Sequence, residues 1–410
     1  MIDLSLLRKE PKTIAACITS KDPYFDVATL ISLDAEVRKV RLSIESLRHE
    51  KNDLAKQAQS TLNQEIRNRS IEIGKILKGL EKELNEKESE LKKIYYSCPN
   101  LPRSDVPVGD QGKNVIVCEW GKHPTFSFPF KNHLELGAEL GWFDFSCAAK
   151  MSGSNFALYK GDGVRLMYAL AMFLLEHNNS YGYNYILPPY LINETSLFIS
   201  GNFPKFKDQV YATDDGLYLT PTSEVNLTNI YRDYIFDTSE LPVYLTSWTS
   251  CFRREAGAYG AEERGLIRMH QFEKIELYTF CVPDQSNEEL ERMRECATSA
   301  LKKLNLAHRV ALLATQEVSF ASAKTYDIEV WIPGQNRFYE VSSLSNCTDF
   351  QARRGKIRYR AATNNSPQLV HTLNGSSIAL SRLMVALMEH NQQQDGSIKI
   401  PAVLNKYGLY

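Results

Sequence analysis

Residues 246–280 read TSWTSCFRREAGAYGAEERGLIRMHQFEKIELYTF, and the fold turns on how this stretch is parsed. Residues 250–255 (SCFRRE) alternate like the end of a strand, with Cys251, Arg253 and Glu255 on one face because successive side chains point to opposite sides. Residues 256–266 carry Gly257, Gly260 and Gly265 and read as a polar loop. Residues 267–280 alternate again, placing Arg268, His270, Phe272, Lys274 and Glu276 opposite Ile267, Met269, Ile275 and Leu277. A hairpin of this kind gathers arginines, glutamates and a ring on one surface. A sheet with one solvated face explains alternating charge, but it does not explain Phe272. A ring flanked by cations on a β platform suits a purine stacked between aromatic and guanidinium faces, with arginines reaching its phosphates. His270 takes no catalytic role here, because no partner at metal-ligand spacing accompanies it.

Toward the N-terminus the period changes. Leu30, Leu33, Val37, Val40, Ile44, Leu47, Leu54 and Ala58 keep the alternating three and four spacing of a heptad seam, with Lys51 as its polar member. The rhythm returns at Ile66, Ser70, Ile73, Leu77, Leu80, Leu84, Lys87, Leu91 and Ile94. Thr61 and Gln64 fit a capping box between the two runs, so the chain reverses near residues 59–63. Two helices joined by so short a turn pack as an antiparallel coiled coil, about 40 to 45 Å long at 1.5 Å per residue. The tip is basic, with Arg48, Lys51, Lys56, Arg67, Arg69, Lys75 and Lys78. As a pattern these are solvated coiled-coil flanks, and a grip on an RNA backbone is the sharper alternative. Pro99, Pro102, Pro107, Gly109 and Gly112 then forbid further helix. The division this gives is an N-terminal domain at 1–97 with its arm at about 28–97, a linker at 98–115, and a catalytic domain at 116–410. Beyond the linker short β-branched and aromatic runs alternate with helical patterns, so the expected class is α+β.

The charge is nearly balanced, 48 Lys plus Arg against 49 Asp plus Glu, so any contact with nucleic acid must come from local patches. No signal-like apolar core opens the chain, and the longest apolar stretch, 166–175, is half of the roughly 20 residues a bilayer span needs. A soluble, cytoplasmic protein is expected. The eight cysteines form no Cys-x-x-Cys pair, so reduced thiols and no structural zinc are expected. Neither a Gly-x-x-x-x-Gly-Lys-Ser/Thr loop nor a Gly-x-Gly-x-x-Gly fingerprint occurs, which excludes those two ways of holding a nucleotide.

Residues 249–257 (TSCFRREAG) with 264–276 (RGLIRMHQFEKIE) resemble motif 2 of class II aminoacyl-tRNA synthetases in the form found in bacterial-type seryl-tRNA synthetases. Residues 182–189 (GYNYILPP) are similar to motif 1, the dimer-forming strand of that class, and 374–382 (NGSSIALSR) to motif 3. Residues 219–224 (LTPTSE), 340–343 (EVSS) and 349–354 (DFQARR) are also family-like, as is the N-terminal hairpin. The resemblance implies a class II synthetase domain built on a mainly antiparallel sheet with flanking helices. It implies ATP as substrate and Mg²⁺ as cofactor.

Carried over residue by residue, it puts Arg253 on the ATP α-phosphate and the substrate carboxylate, Arg254 and Glu255 at the nucleotide, Phe272 on the adenine ring, and Arg268 and Arg382 on the γ-phosphate. Arg253, Arg268 and Arg382 are the candidate catalytic residues. Glu340 and Ser343 would hold Mg²⁺, with Val341 and Ser342 between them at the ATP site. Thr222, Ser223, Glu224, Glu276 and Ser376 would surround L-serine. The implied partners are serine tRNA with its long variable arm, gripped by the basic arm tip, selenocysteine tRNA as a second candidate, and a second copy of the chain in a homodimer. Two other readings stand beside this one: a catalytically reduced RNA-binding paralogue, and a ligase loading an amino acid onto a carrier protein. The sequence departs from the family in having Ser223 where alanine is usual and Ser377 and Ser381 where glycines are typical, and its arm turn is short.

Overall fold

The computed structural model describes residues 1–60, 64–255, 265–360 and 366–408. Thr61 of the expected capping box and residues 256–264 of the expected polar loop lie outside them. The chain forms two compact units, Met1–Pro99 and Asn100–Tyr410.

The first unit carries helix α1 (Val27–Ser60) antiparallel to α2 (Gln64–Tyr96). Val40, Ile44, Ile73 and Leu77 form its buried seam, flanked by Leu47, Leu54, Leu80 and Leu84. At 34 residues α1 is about 50 Å long, longer than the heptad run alone suggests, because the helix continues through both ends of the seam. Ion pairs lace the two helices together: Arg41–Glu88 at 2.7 Å, Arg48–Glu81 at 2.8 Å, Arg69–Glu50 at 2.8 Å and Lys87–Glu36 at 2.6 Å. Two short helices, Leu4–Lys9 and Pro11–Lys21, precede the arm, the first held to α1 by Arg8 donating to Asp34 at 2.7 Å.

The second unit is built on an eight-stranded sheet. Its strands in chain order are β1 (Val115–Trp120), β2 (Asn184–Ile186), β3 (Val243–Phe252), β4 (Gln271–Cys281), β5 (His308–Leu312), β6 (Lys324–Ile332), β7 (Arg337–Asn346) and β8 (His371–Ala379). Their spatial order is β1-β5-β6-β7-β8-β4-β3-β2. Every neighbouring pair is antiparallel except the edge pair β2–β3. Helices α3 (Asp162–Ser180), α5 (Ser286–Lys303) and α6 (Leu380–Asn391) cover one face and share a single apolar core with it. Met167, Leu170, Phe173 and Leu174 lie in that core. Helix α4 (Ser223–Ile230) packs on β3 and β4. The stretch after the arm is tied into this unit: Asn100 Nδ2 donates to the Ala321 and Cys347 carbonyls at 2.9 Å, and Thr315 N donates to the Pro107 carbonyl at 2.8 Å.

Candidate active site

β3 and β4 pair with Cys251 opposite Phe272, Thr249 opposite Lys274 and Ser247 opposite Glu276. Regular strand pairing stops at Phe252 and resumes at Gln271, so Arg253, Glu255, Arg268 and His270 lie on irregular backbone between the strands, where alternation had placed them in regular strand. Glu255 has φ of +46° and Gly265 +73°. The polar face of β4 is not a solvated one. Lys274 is 6% exposed and Glu276 1%, under the start of α4.

Buried charges must be paired, and these are. Lys274 Nζ lies 2.6 Å from Glu276 Oε2 and donates to Thr222 Oγ1 at 2.8 Å, while Thr222 Oγ1 lies 3.1 Å from the same Glu276 oxygen. Thr222 also caps α4, its hydroxyl accepting from Glu224 N at 3.2 Å. The cap fixes where the helix begins, and so brings Glu224 toward Glu276. Glu224 accepts from Gln351 Nε2 at 2.7 Å. Burial, with the Glu276 charge beside it, pushes the Glu224 carboxyl up to about 7.

A cavity of about 170 Å³ opens beside this cluster, lined by Arg253, Arg268, Arg382, Lys274, Glu255, Glu340, Phe272, Ser376 and Ser381 among others. The Arg253 guanidinium sits 5.2 Å from the Phe272 ring centroid and donates to the Pro221 carbonyl at 3.3 Å. Arg268 is held by Glu255, Nη2 to Oε2 at 2.6 Å. Arg382, from the first turn of α6, donates to the carbonyls of Ile267 at 3.1 Å and Glu340 at 2.7 Å, with the Glu340 carboxylate 3.5 Å away. This ion pair is not sealed in the core: both side chains are partly exposed and line the cavity. The cavity is a cation-rich pocket with a ring on one wall, fit for a polyanion bearing a flat base.

A bulge in β7 changes which residues share a face of the sheet. Register shifts between Glu340 and Ser342, so Glu340 pairs with Glu329 and Ser343 with Asp327. An inserted residue reverses the alternation. Glu340 and Ser343 therefore share a face, whereas unbroken alternation would group Glu340 with Ser342. Ser342 instead faces the core side and donates to the Ser376 carbonyl. Burial, with Glu340 nearby, pushes the Asp327 carboxyl well above the usual range, against a hydrogen bond from Ser343. Asp327 Oδ1 is buried with no partner among the described residues. An unsatisfied carboxylate oxygen beside Glu340 and Ser343 is a donor set that suits a hard divalent cation. No group of three or more His, Cys, Asp or Glu able to hold a metal occurs among the described residues.

The other expected site residues lie as follows. Arg254 points away from the cavity, over Tyr211 at 4.6 Å and donating to the Val210 carbonyl at 3.3 Å. Val341 is buried in the core, and Ser223 is buried with its hydroxyl lacking a hydrogen-bond partner among the described residues. Lys274, Asp327 and Gln351 were not singled out as site residues by sequence reasoning. Lys274 and Asp327 each carried a signal, a charge at an in-phase position of an apolar strand.

The second unit has the core of a class II synthetase. The family model for the tRNA synthetase class II core domain (G, H, P, S and T) matches residues 205–391, and that for the seryl-tRNA synthetase N-terminal domain matches residues 1–102. The chain is 43% identical over 416 residues to a serine–tRNA ligase of Chlamydia felis, covering 99% of this chain and 97% of that one. It is 45% identical over 394 residues to one of Desulfotalea psychrophila, covering 92% and 93%. The solved seryl-tRNA synthetase of Pyrococcus horikoshii, complexed with ATP, superposes with a TM-score of 0.94 at 34% identity, covering 99% of this chain and 98% of that one. The chain belongs to the seryl-tRNA synthetase family.

Proposed function

We propose that the chain joins L-serine to ATP as seryl-adenylate, releasing pyrophosphate, and passes the seryl group to the 3′ end of serine tRNA. The observation that carries this reading is the convergence of Arg253, Arg268 and Arg382 with Phe272 on one cavity, beside the Thr222–Lys274–Glu276 cluster. The serine carboxylate attacks the α-phosphorus in line, and the bond to pyrophosphate breaks. No strong protein base is needed. Arg253 neutralises the α-phosphate and orients the carboxylate, while Arg268 and Arg382 hold the terminal phosphates, so positioning and charge neutralisation supply most of the acceleration. Glu340 and Ser343 would hold Mg²⁺, which adds further neutralisation of phosphate charge when bound.

Glu224 and Glu276 would take the ammonium and hydroxyl of serine. A site built to bond a hydroxyl rejects alanine strongly, since its polar groups would be left unpaired. Threonine is excluded by shape. Lys51, Arg67, Lys75 and Lys78, exposed on the arm and without ion-pair partners among the described residues, are the cations free for a tRNA backbone. Arg48, Lys56 and Arg69 are already paired with Glu81, Asp53 and Glu50. Serine tRNA with its long variable arm is the proposed partner, with selenocysteine tRNA a second substrate to test.

A homodimer is supported by a large apolar cavity of about 850 Å³ on α3, β2 and β3, where Leu187 is 82% exposed, Tyr168 56% and Tyr185 53%. Exposed apolar surface on this scale marks an interaction site, and a second copy is the proposed occupant. No helix among the described residues is long and apolar enough to cross a membrane, and the cytoplasm is the proposed location.

ATP–pyrophosphate exchange with serine, alanine and threonine tests the first step, and charging of total tRNA tests the second. Exchange should require serine, and Arg253→Ala should lower it by about 10²-fold, as for loss of one preorganised charge donor. A chain lacking residues 28–97 should keep exchange and lose charging. Exchange that ignores Arg253, or is lost with the arm, would refute this division of labour.

A further inference from the structure

Ser377 stands where the family pattern has glycine, and the structure shows what that hydroxyl requires. It lies in a bulge of β8: register shifts between Ser376, opposite Glu276, and Ile378, opposite Ile275. Ser376 lines the cavity, and Ile378 lies in the helix-covered core. Ser377 is the inserted residue. Glycine is common at bulges because the kink tolerates it and no side chain needs a place. A serine there puts a hydroxyl into a core, where an unpaired polar atom is costly.

That hydroxyl donates to Asn178 Oδ1 at 2.9 Å, from the last turn of α3. Asn178 is fully buried and its amide is committed on both sides. Its Oδ1 also receives the Cys296 thiol at 3.5 Å, and its Nδ2 donates to Thr246 Oγ1 at 3.0 Å. Thr246 in turn donates to the backbone carbonyl of Glu276 at 2.8 Å. Asn178 thus ties the β8 bulge behind Ser376 to the β4 backbone that carries Glu276. Neither its own side chain nor those of Ser377 and Thr246 line the cavity.

We propose that Asn178 is a positioning residue for the amino-acid pocket, fixing the relative placement of Ser376 and Glu276 through Ser377 and Thr246. This rests on the reading of those two residues as part of the serine site. A residue acting this way sets binding of one substrate. Asn178→Ala should raise KM for serine about tenfold, the effect of one buried hydrogen bond, with KM for ATP within twofold and kcat little changed. A merely structural role would lower the folded fraction, reducing apparent kcat and leaving both KM values alone. Asn178→Leu combined with Ser377→Gly, which removes the hydroxyl's demand for a partner but restores no tie to Thr246, should regain stability while keeping the raised serine KM of Asn178→Leu.

The assay is exchange on the full chain at varied serine and ATP, with tryptophan fluorescence confirming folding. An unchanged serine KM in folded Asn178→Ala, or equal rises for both substrates, would overturn the proposal. If that variant does not fold, Thr246→Val, nearly isosteric, decides by the same criterion. A wild-type chain with no serine-dependent exchange would instead overturn the substrate assignment.

Discussion

Lys274→Met removes an ammonium that sits 2.6 Å from Glu276 and 2.8 Å from Thr222, in a cluster where the two charged side chains are 8% and 2% exposed. The pair is worth little relative to two apolar residues, because desolvation offsets most of the attraction. Breaking it is another matter. Loss of one partner leaves the other charge buried, which typically costs about 3 to 5 kcal/mol. Thr222 can still turn its hydroxyl toward Glu276, so the lower end, about 3 kcal/mol, is expected here, or roughly 5 °C in Tm for a unit of this size. Lys274→Met with Glu276→Gln removes both charges and should regain at least half of the loss. The measurement is urea unfolding followed by tryptophan fluorescence. Trp120, Trp142, Trp248 and Trp331 all lie in Asn100–Tyr410, so the signal reports this unit and not the arm. A single variant within about 1 kcal/mol of wild type, or a double variant no more stable than the single, would refute the argument that Glu276 depends on Lys274.

Glu224, held up to about 7 by burial and by Glu276, is half protonated near neutrality, whereas an ammonium bound against it favours its charged form. Serine affinity should therefore rise about fivefold between pH 6 and pH 7 and level off above about pH 8, and Glu224→Gln should remove that slope in isothermal titration. The same raised value makes Glu224 a cost to stability that grows as pH climbs from the unfolded carboxylate range toward 7, so Glu224→Gln should flatten that decline in urea midpoints. On the arm, reversing Lys51, Lys75 and Lys78 to glutamate should raise the charging KM for tRNA about tenfold at low salt and leave exchange unchanged, with the gap narrowing as salt is added. Arg69→Glu should act differently, lowering the arm's own stability in a circular-dichroism melt, because that guanidinium already pairs with Glu50 and Glu72.

The arm was legible because a heptad seam is a one-dimensional signal: Val40, Ile44, Ile73 and Leu77 are buried where the spacing puts them. The catalytic unit was legible in its parts and less so in their faces. Period-two reasoning assumes an unbroken ladder, and β7 and β8 are both broken at the site. Those two bulges lie on neighbouring strands, joined where Ser342 donates to the Ser376 carbonyl. In β7 the extra residue brings Ser343 onto the side of Glu340 and Asp327. In β8 it leaves Ser376 facing the cavity while Ser377 and Ile378 turn to the core. A regular sheet with these sequences would expose Ser342 where Ser343 now stands and would misplace every β8 side chain beyond the break by one face. Lys274 was hidden for a different reason: alternation fixes its face but not its cover, and only the cap at Thr222, from a segment 52 residues upstream, makes that face an interior. One family departure, at Ser377, follows the same physics. Ser377 is tolerated because Asn178 answers its hydroxyl, so the residue is best understood as one half of a pair whose other half lies on the helix packed against that face of the sheet.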